Sequence, residues 1–78
     1  MKIYLLNNQD SPHIFHTSNR INLFDTIIDN LNKNITGMYL TVWEDNNMIY
    51  DKYINKIIKN HPKIPIGCIV NKIIDNEI

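Results

Sequence analysis

Alanine is absent from this 78-residue sequence, glycine is confined to positions 37 and 67, and cysteine occurs once, as Cys68. A lone cysteine forms no internal disulfide, so nothing covalent staples the fold. Its neighbours in "IPIGCIV" are apolar, and in such a setting a free thiol is expected to be buried and inert, as a small hydrophobe. Two isolated glycines cannot build a phosphate-cradling loop or the strained G-x-S-x-G turn that presents a serine nucleophile. C-x-x-C and H-E-x-x-H are also missing. Charge of either sign is not in excess, since eight basic residues match eight acidic ones, and nothing in the whole-chain charge attracts a polyanion. No apolar run approaches the ~18 residues of a membrane span, and "MKIYLLNNQD" turns polar too early for a secretory signal, so a cytoplasmic protein without a membrane partner is expected.

What is present is the composition of a folded domain: 44% hydrophobic and 21% charged residues. A chain this short buries only about 60–65% of the surface its unfolded form exposes, so the core is thin and help from a partner is expected. Isoleucine, asparagine and lysine, all written with AT-rich codons, crowd the sequence. No repeat, linker or low-complexity run interrupts it, and residues 1–78 read as one domain.

The pattern predicts an order of elements. "KIYLL" (2–6) mixes β-branched and aromatic residues and is bounded by the turn formers "NNQDSP"; "HIFHT" (13–17) pairs back as a second strand. Thr17 or Ser18 then caps a helix on which Ile21, Phe24, Ile28 and Leu31 recur at helical spacing, Leu23 and Ile27 widen the stripe, and Asp25, Asp29 and Asn32 face away. "GMYLTVW" (37–43) is strand-like. After it, "EDNN" suits either a hairpin turn into "MIYDKYI" or a helix cap; a helix over about 50–60 is favoured, with a short strand allowed at 48–50, because Tyr50, Tyr53, Ile54, Ile57 and Ile58 then share one face and Lys52, Lys56 and Lys59 the other. Pro62 and Pro65 end that helix, and "IGCIV" (66–70) reads as a last strand. The expectation is an α+β domain, approximately β-β-α-β-α-β, with a mixed sheet of three to five strands and two amphipathic helices on one face. The tightly joined first two strands are antiparallel and the helix-linked pairs parallel.

Chemistry-bearing residues are few. His13 and His16 are three apart, which would put them on one face of a helix but on opposite faces of the expected strand, so no metal pair is expected. Ser11, Thr17 and Ser18 lie near these histidines without making a triad, and an apolar setting for Cys68 opposes a thiolate paired with His61. Glu44 and Asp45 are adjacent in a turn, where carboxylates are solvated. Neither an enzyme nor a cofactor is expected.

Two surfaces remain. Lys52, Lys56, Lys59 and Lys63 are spaced 4, 3 and 4 apart, with Lys63 past the expected helix end; such a stripe suits an acidic protein face or phosphates. Trp43 precedes Glu44 and Asp45 at a strand end, an aromatic anchor with a polar rim. The favoured reading is a small non-enzymatic intracellular module that binds another protein through these residues, or a second copy of itself by two-fold exchange of the outward acids Asp25 and Asp29 of the first helix with the lysines of the second. Size and codon bias fit the small proteins with which phages and mobile elements block a host defence enzyme by surface occlusion, an anti-CRISPR protein being one concrete form. The alternatives are a nucleic-acid binder using the lysine stripe, disfavoured by the zero net charge, and a small-molecule binder or enzyme with a strand-end pocket near Trp43. The placement of Trp43, Tyr50 and Tyr53 discriminates: beside lysines for nucleic acid, lining a pocket for a ligand, in a flat exposed patch for protein.

Overall fold

The computed structural model describes residues 1–9 and 14–78. Alternation along the strands builds the sheet. In β1 (Lys2–Asn8), Tyr4 and Leu6 are buried while Ile3 and Asn7 are exposed; in β3 (Met38–Glu44), Met38, Leu40 and Val42 are buried while Tyr39, Thr41 and Trp43 take the other face. Together with β2 (Ile14–Thr17) and β4 (Asn47–Tyr53) they form a four-stranded sheet in the order β2-β1-β3-β4. Three helices, α1 (Arg20–Asn32), α2 (Ile54–Asn60) and α3 (Ile66–Ile74), cover its even-numbered face. The α+β class and the placement of the helices on one face agree with the sequence, as does the strand count. The sheet, however, is antiparallel throughout, and the helices are three, not two. β2 and β3 run in the same direction, as a helix-linked pair should, but β1 lies between them and takes both sets of hydrogen bonds.

Two segments differ from the sequence reading. Residues 50–53 belong to β4 and not to a helix: Asp45 and Asn46 adopt φ of 51° and 69°, the left-handed pair that joins the two strands of a tight hairpin and that Asp and Asn tolerate. The ladder to β3, Tyr39↔Tyr53 through Glu44↔Asn47, with a bulge between Val42 and Trp43, supplies backbone bonds that outweigh the helical side-chain pattern. Only Ile54–Asn60 remain helical, and His61 closes that helix by donating from Nδ1 to the Ile57 carbonyl at 2.9 Å. The expected strand 66–70 is the first half of α3. Ile66, Ile69, Val70, Ile73 and Ile74 recur at helical spacing, and the last four are buried, each stabilising the fold by about 1.5–3 kcal/mol. Cys68 falls on the other side of this helix and is exposed, contrary to the expectation of burial.

α1 begins later than expected. Its cap is Asn19, whose side chain accepts from the amides of Ile21 and Asn22 at 2.9 and 3.1 Å; Thr17 stays in β2 and accepts from the Asn19 amide at 3.0 Å. The buried stripe centres on Leu23 and Ile27, and Ile21 is exposed. Arg20 ties the start of α1 to the end of α3 through two 2.9 Å bonds to Asp75.

Two polar details hold the entry to β3. Gly37 has φ +76°, and a Cβ there would meet the Gln9 Cβ at 3.1 Å; the Gln9 amide donates to the Gly37 carbonyl. Asn55 of α2 accepts from the Met38 amide at 2.8 Å and donates to the Ile35 carbonyl at 3.1 Å. On the helix side, the Tyr50 hydroxyl donates to the Ile74 carbonyl, and burial, reinforced by Tyr4 and Asp75, pushes its phenol above the ordinary range.

Candidate functional site

Since the helices occupy one face of the sheet, the odd-numbered residues of β1 and β3 look outward with no element of the described chain over them. Strand register places these side chains in three rows. The first runs Ile14, Asn7, Tyr39, Tyr53 and the second His16, Leu5, Thr41, Asp51. The third, beside the hairpin, is Ile3, Trp43, Met48. Tyr39 and Tyr53 stack with centroids 4.5 Å apart, and Thr41 donates to Asp51 at 3.3 Å. Trp43 keeps 37% of its surface exposed, and Ile3, Ile14, Met48 and Ile49 are exposed as well. A shallow groove of about 290 Å³ runs along Met1, Ile3, Leu5 and Trp43 to Asp45 and Asn46.

This face is apolar and aromatic, and none of its described strand residues is lysine or arginine. β1 and β3 therefore carry apolar side chains on both faces, the pattern of a sheet covered on both sides. The regularity is visible in "KIYLL" and "MYLTVW", where odd and even positions are equally apolar. Reading these runs only as strands overlooked Ile3, Leu5, Tyr39 and Met48 as surface residues.

The expected site residues divide between layers. Trp43, Glu44 and Asp45 do lie together at the β3–β4 hairpin; Asp45 is fully in solvent, 3.2 Å from the amino group of Met1, and Glu44 is half-buried at the sheet end. The lysines do not form one stripe. Lys52 sits on β4, facing the helix layer, where its ammonium donates to the Ile78 carbonyl at 2.9 Å and lies 5.7 Å from the Tyr50 ring. Lys56 and Lys59 are exposed on α2, with Lys63 exposed beyond it, and these three form no ion pair among the described residues.

The histidine pair falls partly outside the described residues, which omit His13; His16 is exposed on β2. Among the described residues no three His, Cys, Asp or Glu side chains converge on a common point where a metal ion would fit. A second open recess, of about 300 Å³, lies between α1 and the β1–β2 end, lined by Leu6, Phe15, Thr26, Asn30, Ile35 and Met38 among others, with no charged residue. No helix among the described residues is long and apolar enough to cross a membrane. Comparison of the chain with protein-family models, with curated proteins and with solved structures finds no match in any of the three.

Proposed function

We propose that this chain is a small protein-binding module of the cytoplasm whose docking surface is the open face of its sheet. The observation that carries the reading is that face itself: a largely apolar, outward-facing surface with a partly exposed tryptophan and a shallow groove at one end and polar residues at its edges. Aromatic side chains are the usual anchors of protein interfaces because a rigid ring buries a large area at little entropic cost. Of the three placements that discriminate the functions, Trp43 and Tyr53 lie on the open face, Trp43 also lining the shallow groove, while Tyr50 is turned to the helices. An open antiparallel sheet with aromatics is also how single strands of RNA are stacked. That reading lacks its electrostatic half, since the described face offers no lysine or arginine to phosphates and Tyr39 and Tyr53 already stack on each other. An inhibitor of a host defence enzyme is one concrete form of this function, suggested by the isoleucine-, asparagine- and lysine-rich composition.

The test compares three immobilised proteins: the wild type, Trp43→Glu, and Lys56→Glu with Lys59→Glu. A partner that binds through the sheet face is retained by the lysine variant and lost by Trp43→Glu, and the wild type leaves single-stranded oligonucleotides unbound at physiological salt. Retention by Trp43→Glu with loss in the lysine variant moves the site to α2.

A further inference from the structure

We infer that one occupant of the open sheet face is a second copy of this chain, packed face to face about a two-fold axis parallel to the strands. The inference rests on the sheet face being a protein-docking surface, and it names the partner from how the side chains are laid out. Sheets packed face to face lie about 10 Å apart with strands aligned to within about 30°. A two-fold axis in the plane between two such sheets, running along the strands between β1 and β3, sets β2 over the partner's β4 and β1 over the partner's β3, each row facing its own counterpart.

In that arrangement the rows are self-complementary. Ile3 meets the partner's Trp43, so the largest exposed side chain of the face covers a branched aliphatic one, twice over. Leu5 meets the partner's Thr41, and Ile14 meets the partner's Tyr53. His16, on β2, comes opposite the partner's Asp51, on β4, so that an imidazole N–H can donate to a carboxylate at each end of the middle row. Turning the axis across the strands sets His16 on His16 and Asp51 on Asp51 and puts Asn7 against Ile3. Asn7 is set on an apolar side chain by either axis, the partner's Tyr39 or Ile3, so the opposed Asp51 carboxylates of the cross-strand axis are what favour the strand-parallel one.

The area sets the strength. Three strands of seven residues and one of four, about 4.8 Å apart, offer roughly 400 Å² in projection on each copy. The pair buries about 800 Å² in all, below the roughly 1,000 Å² of a stable specific interface, which corresponds to a weak, reversible dimer and not a permanent one.

Sedimentation velocity of the full chain over a concentration series from low micromolar to millimolar tests this, with circular dichroism as the check on folding. The wild type is expected to pass from monomer to dimer across the series, with Trp43 fluorescence shifting to the blue. Trp43→Glu, altering an exposed side chain, is expected to weaken the dimer by about 30-fold or more. His16→Asp, which sets two carboxylates opposite each other, is expected to weaken it about fivefold, and adding Asp51→Lys is expected to restore it to within about twofold. A wild type that stays monomeric at millimolar concentration, a dimer indifferent to Trp43→Glu, or a double variant weaker than His16→Asp alone each overturns the inference. Monomeric wild type that nevertheless loses another bound protein on Trp43→Glu overturns the dimer and leaves the docking face standing. Loss of neither assembly on Trp43→Glu overturns both.

Discussion

Asn55 is the residue whose removal tests the junction between the two layers most directly. Its Oδ1 accepts from the Met38 amide and its Nδ2 donates to the Ile35 carbonyl, so one side chain satisfies a backbone donor and a backbone acceptor where the chain enters β3. Met38 has no exposed surface. Each of the two bonds contributes about 0.5–1.5 kcal/mol, and a buried amide stranded without a partner costs about 1–3 kcal/mol. Asn55→Ala is thus expected to destabilise by about 2–4 kcal/mol. That is a large share of the roughly 4–12 kcal/mol available at 0.05–0.15 kcal/mol per residue. With an m-value near 1 kcal/mol per molar for a chain of this size, the urea midpoint falls by about 2–4 M. Asn55→Asp sharpens the test. The ionised carboxylate keeps the Met38 bond but opposes the Ile35 carbonyl; once protonated it is nearly isosteric with the amide and can both accept and donate. Its proton is held more tightly in the folded state, so relative to wild type this variant gains stability as pH falls through the carboxyl range. A midpoint change below about 0.5 M for Asn55→Ala, or an Asn55→Asp penalty that is flat with pH, refutes the reasoning.

Gly37→Ala forces a Cβ into a left-handed backbone and against Gln9 at 3.1 Å, and is expected to cost about 1–3 kcal/mol in chemical denaturation, against near-neutrality if the turn relaxes. Cys68 is exposed on α3, so Ellman's reagent should label it rapidly in the native protein and Cys68→Ser should change stability by no more than about 0.5 kcal/mol; slow labelling places the thiol in the core after all. The Tyr50 phenol, raised chiefly by burial, holds its proton more tightly when folded, so the stability it confers is complete below about pH 10 and declines as pH rises through the raised value. Urea midpoints of Tyr50→Phe are therefore expected to fall less steeply than wild type above about pH 10.

Of the candidate site, the sequence singles out Trp43 as an aromatic before two acids at a strand end, while its place on the outer face, and not in the core, depends on the packing of the helices. It does not single out Trp43's neighbours. Ile3 and Leu5 are indistinguishable by composition from Tyr4 and Leu6, and which pair meets the helices depends on where α1 and α3 lie. The lysine stripe was an artefact of a helix drawn too long: once Lys52 joins β4, the spacing that aligned it with Lys56 and Lys59 no longer applies.

Local patterning by itself determined the elements whose side chains have one consistent use. β1 and β2 are bounded by turn formers, α1 carries an amphipathic stripe with aspartates opposite, and β3 is dense in β-branched and aromatic residues. Tertiary structure decided the rest, in the segments where two periodicities coexist. Residues 50–53 fit a helical face, yet a left-handed turn at Asp45 and Asn46 and a free β3 edge made a ladder available, and hydrogen bonds to a distant strand outweigh a local side-chain pattern. Residues 66–70 form an unbroken apolar run that reads equally as a buried strand. In the fold these residues take the gap between α1 and α2, where a helix satisfies its own backbone and buries Ile69, Val70, Ile73 and Ile74.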